Sequence, residues 1–275
     1  MPKRLIFILL IVSSCQSQGN LTILGDLSND LKEVSAVAYY KSENHFWIIE
    51  DSGNKNEIFA LDQKGDIVKS VVVTNAENRD WEDLTFDKKG NLYVGDFGNN
   101  SKDQILYTIY RINHESLKNR EVSAEKIDFF LPPEHNPEDF EAFFLRNNSI
   151  YLFSKDNKIT SVYKVPNLTG KHEAIFITEY NLPGKHNKVT SADISDDGKT
   201  AILLNHDKLW KLTNFNGEDY FSGHIEKLVF KHDSQKEGVC FKTDSTVVIT
   251  DERNGSEGGN FYEFNLLENK KGANN

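Results

Sequence analysis

A short polar motif recurs five times along the chain, and it restricts the possible folds more than any other feature. Each copy places one polar residue inside an apolar segment, and the copies are Glu33-Val34-Ser35-Ala36-Val37, Asp80-Trp81-Glu82-Asp83-Leu84, Asp139-Phe140-Glu141-Ala142-Phe143, Val189-Thr190-Ser191-Ala192-Asp193 and Gln235-Lys236-Glu237-Gly238-Val239. The central residues, here called the anchors, are Ser35, Glu82, Glu141, Ser191 and Glu237. Successive anchors lie 47, 59, 50 and 46 residues apart. A repeat of about 40 to 50 residues is typical of a four-stranded propeller blade.

Two further features recur after each anchor. A second apolar segment ends in a polar residue 14 to 16 positions later, and these residues are Asp51, Asp96, Lys155, His206 and Asp251. A third segment carries an aromatic residue, in order Phe59, Tyr107, Tyr163, Trp210 and Tyr262. Because aromatic and β-branched residues occur in short runs without a sustained helical period, the chain is expected to be all-β. The sequence therefore predicts a five-bladed β-propeller, with an open array of sheets or a sandwich as the alternative.

The two ends of the repeat region indicate how such a propeller would close. The last repeat ends after its third strand, near Phe264, whereas residues 21–27 precede the first anchor. We expect an N-terminal strand to complete the last blade, because closure removes the exposed edges through which sheets aggregate. Residues 21–268 form the predicted propeller domain. Residues 269–275 form a predicted flexible tail, and the stretch 113–136 in the longest repeat is expected to be an inserted loop.

The N-terminus has the pattern of a bacterial export signal. Lys3 and Arg4 precede the apolar run 5–12, which is too short to span a bilayer. Cys15 follows small residues and resembles the lipidated cysteine of a lipobox; the alternative is an ordinary exported protein that is cut slightly later. We predict a lipoprotein signal at 1–15, a short tether at 16–20 and a lipid anchor in the cell envelope, on the outer membrane facing the periplasm.

Charge and cysteine content exclude several classes of protein. The formal net charge is -10, which opposes attachment to nucleic acid or to anionic lipid surfaces. Apart from Cys15 the chain has one cysteine, Cys240, so the domain must be stable without an internal disulfide. Roughly 250 residues can bury enough surface in one domain to meet that requirement.

The anchors form the candidate metal site. The innermost strand of each propeller blade borders the central channel, so residues at one repeat position form a ring there. Carboxylates brought together at low dielectric must be protonated, hydrated or neutralised by a cation. Calcium prefers an all-oxygen set of ligands, and we predict that Ca²⁺ is bound by Ser35, Glu82, Glu141, Ser191 and Glu237. The alternative is that the anchors only hydrogen-bond one blade to the next around a channel that contains water.

The polar residues that end the second strands are candidate ligand-binding residues. We expect them to surround one mouth of the channel together with Arg253, which gives the set Asp51, Asp96, Lys155, His206, Asp251 and Arg253. A calcium-bound water beside His206 could attack a phosphate ester or a lactone. The alternative is an ordinary polar rim. A complete set of nucleophile, base and oxyanion donor is not visible in the sequence, so catalysis stays open.

Two resemblances bear on function. The run from Asp80-Trp81-Glu82-Asp83-Leu84 to Gly95-Asp96-Phe97-Gly98-Asn99-Asn100, with Asp51-Ser52-Gly53-Asn54 and Gln235-Lys236-Glu237-Gly238-Val239, resembles the SdiA-regulated family of envelope-associated propellers across all five repeats. The anchor order Ser, Glu, Glu, Ser, Glu is also similar to the central calcium ligands of calcium-activated nucleotidases, or apyrases, which are five-bladed propellers. The second likeness implies metal ligands and not nucleotide hydrolysis.

The resemblances imply an envelope-anchored, calcium-binding propeller. We expect it to bind a small ligand or an envelope protein at the mouth of its channel. The alternative function is a calcium-dependent hydrolase of a small phosphate, lactone or ester, similar to an apyrase or to a phytase-esterase.

Overall fold

Strands supply nearly all the regular structure of the chain. The computed structural model describes residues 18–255 and 257–267. Its strands, in chain order, are β1 (Thr22–Asp26), β2 (Val34–Tyr40), β3 (His45–Glu50), β4 (Glu57–Leu61), β5 (Ile67–Val73), β6 (Trp81–Phe86), β7 (Leu92–Asp96), β8 (Tyr107–Ile112), β9 (Glu121–Val122), β10 (Glu125–Phe130), β11 (Phe140–Arg146), β12 (Ser149–Ser154), β13 (Thr160–Pro166), β14 (Gly170–Glu173), β15 (Ile175–Tyr180), β16 (Ser191–Ile194), β17 (Thr200–Leu204), β18 (Lys208–Thr213), β19 (His224–Val229), β20 (Lys236–Thr243), β21 (Thr246–Asp251), β22 (Arg253–Asn254), β23 (Glu257–Gly258) and β24 (Asn260–Asn265). A 3-10 helix, His114–Lys118, lies between β8 and β9.

Several predictions for the chain ends fall beyond the described residues. They are the export signal at 1–15 with Cys15, the first part of the tether at 16–20 and the tail at 269–275. Within 18–255 and 257–267, no helix is both long enough and apolar enough to cross a membrane.

The described strands form five blades of four antiparallel strands each. From the inside outwards the blades are β2-β3-β4-β5, β6-β7-β8-β10, β11-β12-β13-β15, β16-β17-β18-β19 and β20-β21-β24-β1; β22 and β23 make a separate small hairpin. The innermost strands β2, β6, β11, β16 and β20 each contact the next, and β20 contacts β2. The prediction of an all-β, five-bladed propeller is confirmed.

Apolar side chains fill five cores, one between each pair of neighbouring blades. Representative pairs, in order around the ring, are Trp47 with Trp81, Tyr107 with Phe140, Phe144 with Trp210, Leu209 with Tyr262, and Phe46 with Phe261. Full burial of such a side chain stabilises the fold by roughly 1.5–3 kcal/mol. Because each blade packs on both faces, the polar residues of the inner strands are left to face the axis.

Two short strands, β9 and β14, tie neighbouring blades together. β9 follows the third strand of blade 2 and pairs in parallel with β5 of blade 1. β14 follows the third strand of blade 3 and pairs in parallel with β10 of blade 2. The interpretation of 113–136 as an inserted loop was wrong, because this stretch contains β9 and also β10, the outer strand of blade 2. Charged residues in β10 hide its strand pattern in the sequence.

The N-terminal strand β1 lies on the outside of the fifth blade. It runs antiparallel to β24, with Ile23 opposite Tyr262 and Gly25 opposite Phe261. Gly25 packs against the β4–β5 turn of blade 1, and an added Cβ atom there would overlap the carbonyl oxygen of Lys64. That β1 is what holds the ring closed stays a prediction.

Replacing Gly25 with alanine tests that prediction. The new methyl group must push β1 away from Lys64, and overpacking of this kind costs about 1–3 kcal/mol. We expect the free energy of unfolding in urea to fall by that amount. Thr22→Ala, at the exposed start of the same strand, is the control and should change little. A Gly25→Ala protein as stable as its parent would show that close packing of β1 does not hold blades 5 and 1 together.

Candidate functional site

The anchors occupy irregular positions in the innermost strands. In blades 1, 2, 3 and 5 the pairing with the second strand shifts by one residue at Ser35, Glu82, Glu141 and Glu237. In blade 4 the Thr190 N–H donates a hydrogen bond to the Leu204 carbonyl oxygen, and Ser191 is also paired with Leu204, so two residues lie opposite one. A β-bulge leaves one residue out of the ladder and redirects its side chain. The bulges therefore explain how a polar anchor leaves the apolar cores that its neighbours occupy.

Three anchor glutamates interact electrostatically with one ammonium group, that of Lys155. Lys155 Nζ donates a hydrogen bond to the Glu141 carboxylate. Burial raises the pKa values of Glu82 and Glu141 well above their ordinary values; negative neighbours that include Glu237 raise them further, and Lys155 lowers them. Burial alone would lower the pKa of Lys155, but the three glutamates raise it above its usual range. The three glutamates therefore interact electrostatically with one another and with the Lys155 ammonium group.

Two more carboxyl groups lie beside these glutamates. Burial and the negative charges of Glu33, Asp80 and Glu237 raise the pKa of Asp51 to about 7. Burial, followed by Glu237 and Asp51, raises the pKa of Glu252 to about 8. We call Asp51, Glu82, Glu141, Glu237 and Glu252 the acidic mouth.

A histidine contacts the acidic mouth from blade 4. His206 Nε2 lies 3.1 Å from Glu237 Oε1, and the imidazole remains partly open to solvent. This pair resembles a general base held by a carboxylate.

The serine anchors connect blades. Ser35 Oγ donates a hydrogen bond to the Trp81 carbonyl oxygen at 2.7 Å, which links blades 1 and 2. Ser191 Oγ donates to Asp83 at 3.0 Å and accepts from the Val239 N–H at 3.1 Å, which links blade 4 to blades 2 and 5. A role for the two serines as metal ligands stays a prediction.

Asp83, which sequence reasoning did not single out, joins three blades at the axis. Its fully buried carboxylate accepts hydrogen bonds from the N–H groups of Leu84, Phe143 and Ala192 at 2.9, 2.9 and 3.3 Å, and from Ser191 Oγ. Burial still raises its pKa well above the ordinary value. A signal was present: the residue after the anchor is acidic only in the second repeat, and it is alanine or glycine in the others.

The six predicted mouth residues have different surroundings. Lys155 and His206 contact anchors, and Asp51 lies at the edge of the acidic mouth. Asp96 is buried and accepts from the N–H groups of Arg79 and Asp80, as well as from the Arg79 guanidinium at 3.2 Å.

The remaining two of the six also make hydrogen bonds inside the protein. Asp251 is buried and accepts from the Asn260 N–H at 2.7 Å and from the Tyr262 hydroxyl at 2.9 Å. Arg253 donates to the carbonyl oxygens of Leu27 and Gly259. Asp96 and Asp251 thus shape the loops and are not brought to the open surface.

The acidic mouth suits a hard cation in its chemistry. Glu82, Glu141 and Glu237 offer only oxygen donors, which calcium prefers. Among residues 18–255 and 257–267, however, no three acidic, histidine or cysteine side chains are positioned as they stand to hold a metal ion. Lys155 supplies a positive charge at this place, so a metal ion and the ammonium group would compete for Glu141.

Comparisons with known proteins define the family and the fold. A family model described as SdiA-regulated matches residues 19–210. Among curated proteins, none matches the chain significantly. A gluconolactonase from Xanthomonas campestris aligns over 90% of this chain and 91% of its own, with a TM-score of 0.51 and 7% identity. The PQQ-bound aldose sugar dehydrogenase of Streptomyces coelicolor aligns over 90% and 98%, with a TM-score of 0.51 and 8% identity. At such low identity these two likenesses show a shared fold alone.

The pKa values of the acidic mouth predict how stability depends on pH. A carboxyl group whose pKa is higher in the folded than in the unfolded protein binds more protons when folded, so stability falls as pH rises between the two values. For Asp51 and Glu252 that window runs from about pH 4 in the unfolded chain to about 7 and about 8. Without added metal we expect the melting temperature to fall by a few degrees between pH 5 and pH 8, at roughly 2–4 °C per kcal/mol. An Asp51→Asn, Glu252→Gln protein should lose much of this slope; an unchanged slope would refute the assignment.

Proposed function

Because the chain belongs to the SdiA-regulated family of propellers, we propose that its acidic mouth binds calcium and that a ligand or protein partner of the cell envelope binds beside the ion. The observation that supports the proposal is the placement of three buried glutamates, from blades 2, 3 and 5, around one ammonium group. Glu82, Glu141 and Glu237 would hold the ion.

Charge balance favours a divalent cation. Two unit charges 4 Å apart interact by about 4 kcal/mol at an effective dielectric constant of 20, so an excess of negative charge in this mouth weakens the fold. Lys155 offsets one carboxylate, while burial and neighbouring carboxylates keep the pKa values of Glu82 and Glu141 raised, so these two groups hold protons until a cation replaces them. A calcium ion would supply the positive charge that this polar site lacks.

The proposed location rests on the N-terminal sequence. A lipid on Cys15 would hold the propeller at the outer membrane facing the periplasm, with residues 16–20 as a tether. The net charge of -10 argues against nucleic acid as the partner. Fractionation of cells that express Cys15→Ser separates anchored from free protein.

Calcium binding is tested with the competing ammonium group removed. Calcium at 100 times its dissociation constant should stabilise the protein by about 2.7 kcal/mol, visible as a higher melting temperature. Lys155→Met removes the positive charge next to Glu141 and should tighten calcium binding on the order of tenfold. Glu82→Gln should weaken it.

Lys199→Met is the control for this experiment, because Lys199 is exposed and lies on a turn of blade 4. Calcium that leaves the melting temperature unchanged, in both the parent and the Lys155→Met protein, would contradict the proposal.

Hydrolysis of a small lactone, ester or phosphate is the second candidate function. The 3.1 Å contact between His206 Nε2 and Glu237 Oε1 favours it, because a histidine held by a carboxylate can act as a general base. A solved gluconolactonase shares the fold, which is compatible with this candidate and gives no further support to it.

A substrate screen separates the two functions. If the protein is a hydrolase, His206→Ala should lower kcat/KM for the active substrate by about 10²- to 10⁴-fold and leave the melting temperature in place. His224→Ala, on the exposed edge strand of the same blade, should be fully active. Absence of turnover across lactones, esters and phosphates in the presence of calcium would leave binding as the function.

A further inference from the structure

A second concave site adjoins the acidic mouth between blades 4 and 5. It encloses about 340 Å³, within the range of small-molecule sites, at its lower end. Its lining includes His206, His232, Ser234, Gln235, Glu252 and Tyr262. His206 belongs to this cavity and also contacts Glu237, so the cavity and the acidic mouth share a wall.

A buried lysine holds the walls of this cavity in place. Lys236 is fully buried, and its Nζ donates to the carbonyl oxygens of His206 and His232 and to Ser234 Oγ, at 2.9, 3.3 and 2.8 Å. It also lies 3.1 Å from His232 Nδ1. These hydrogen-bond partners are uncharged. Burial lowers the pKa of Lys236 to about 8, although the nearby Asp251, Asp233 and Asp207 oppose the shift.

Such a placement costs the ammonium group much of its hydration, and its hydrogen bonds and the charges of Asp207, Asp233 and Asp251 offset that cost only in part. What it achieves here is to fasten the loop that carries His206 to the loop that carries His232 and Ser234. The cavity is therefore formed by fixed groups. Burial and the charge of Lys236 also lower the pKa of His232, which favours the neutral imidazole, and its Nδ1 faces the Lys236 ammonium group.

The lining chemistry indicates the class of ligand. It combines imidazole, amide, hydroxyl and carboxyl groups, and a ligand hydroxyl can pair with all of them because it donates one hydrogen bond and accepts two. Asp233 and Glu257 also line the cavity, and their carboxylates, with that of the neighbouring Glu237, disfavour a negative charge on the ligand. Gln235 Nε2 already orients Glu252 by a hydrogen bond at 2.9 Å.

We propose that this cavity binds a small hydroxyl-rich ligand of the carbohydrate class that carries no negative charge, and that Lys236 is a positioning residue for it. The inference rests on the proposed function, since it names the ligand bound beside the acidic mouth. Lys236 acts from beneath the surface, through the loops it fastens.

Matched pairs of probes test the ligand class. Binding to the full-length protein is measured by ligand-observed NMR with a panel of neutral aldoses and the aldonic acid of each, which keeps most of the hydroxyl pattern and adds a carboxylate. We expect at least one aldose to bind with a dissociation constant on the order of 1 mM, and its acid to bind at least about tenfold more weakly. No binding by any aldose, or equal binding of the acids, would overturn the proposal.

Variants locate the site and separate this inference from calcium binding. Gln235→Ala and Lys236→Met should each weaken aldose binding by about tenfold, whereas Gln63→Ala, on a turn of blade 1, should not. Because Lys236→Met risks misfolding, the exposed Gln235 provides the decisive test. Aldose binding by Gln235→Ala that equals binding by the parent protein would rule out this site. If calcium still raises the melting temperature of a protein that binds no aldose, this inference fails and the proposed function stands.

Discussion

Five innermost strands meet at one axis, and every polar group that they bring there must be hydrogen-bonded or neutralised. The chain meets this requirement in two ways. Around Asp83, N–H groups from blades 3 and 4 and the Ser191 hydroxyl surround a single carboxylate. Around the anchor glutamates, by contrast, carboxylates outnumber the one ammonium group of Lys155. The first arrangement is complete within the protein. In the second, burial and neighbouring carboxylates raise the pKa values of Glu82 and Glu141, so their negative charge must be offset by protons or by the proposed cation.

The five blades share one backbone plan but differ in the side chains at equivalent positions, and these differences form the candidate site. The residue that ends the second strand is a buried loop-shaping aspartate in blades 2 and 5, but a lysine or histidine that contacts an anchor in blades 3 and 4. The lysine and histidine contacts with the anchors therefore come from the side of blades 3 and 4. The cavity between blades 4 and 5 extends that side outwards, and the buried Lys236 fixes the loops around it.

Much of the architecture could be predicted because the relevant signals are repeated five times. The anchors, the strand ends and the third-strand aromatics share one spacing, and four of the aromatics, Tyr107, Tyr163, Trp210 and Tyr262, are fully buried. Asp83 and Lys236 could not be identified as functional residues in this way, because each occurs in only one of the five repeats. The partners of Asp83 in blades 3 and 4 lie 60 and more than 100 residues away, so its role depends on the closed ring. The bulges at the anchors leave no mark in composition, and the charges in β10 conceal a strand.

The proposed function depends most directly on a cation at the axis. Crystals grown with Mn²⁺ or Ca²⁺ and measured for anomalous scattering would locate it. We expect a peak within about 2.3–2.6 Å of carboxylate oxygens from Glu82, Glu141 and Glu237, with the Lys155 ammonium turned away from Glu141. An axis without a peak at saturating metal, and with Lys155 still bonded to Glu141, would contradict it.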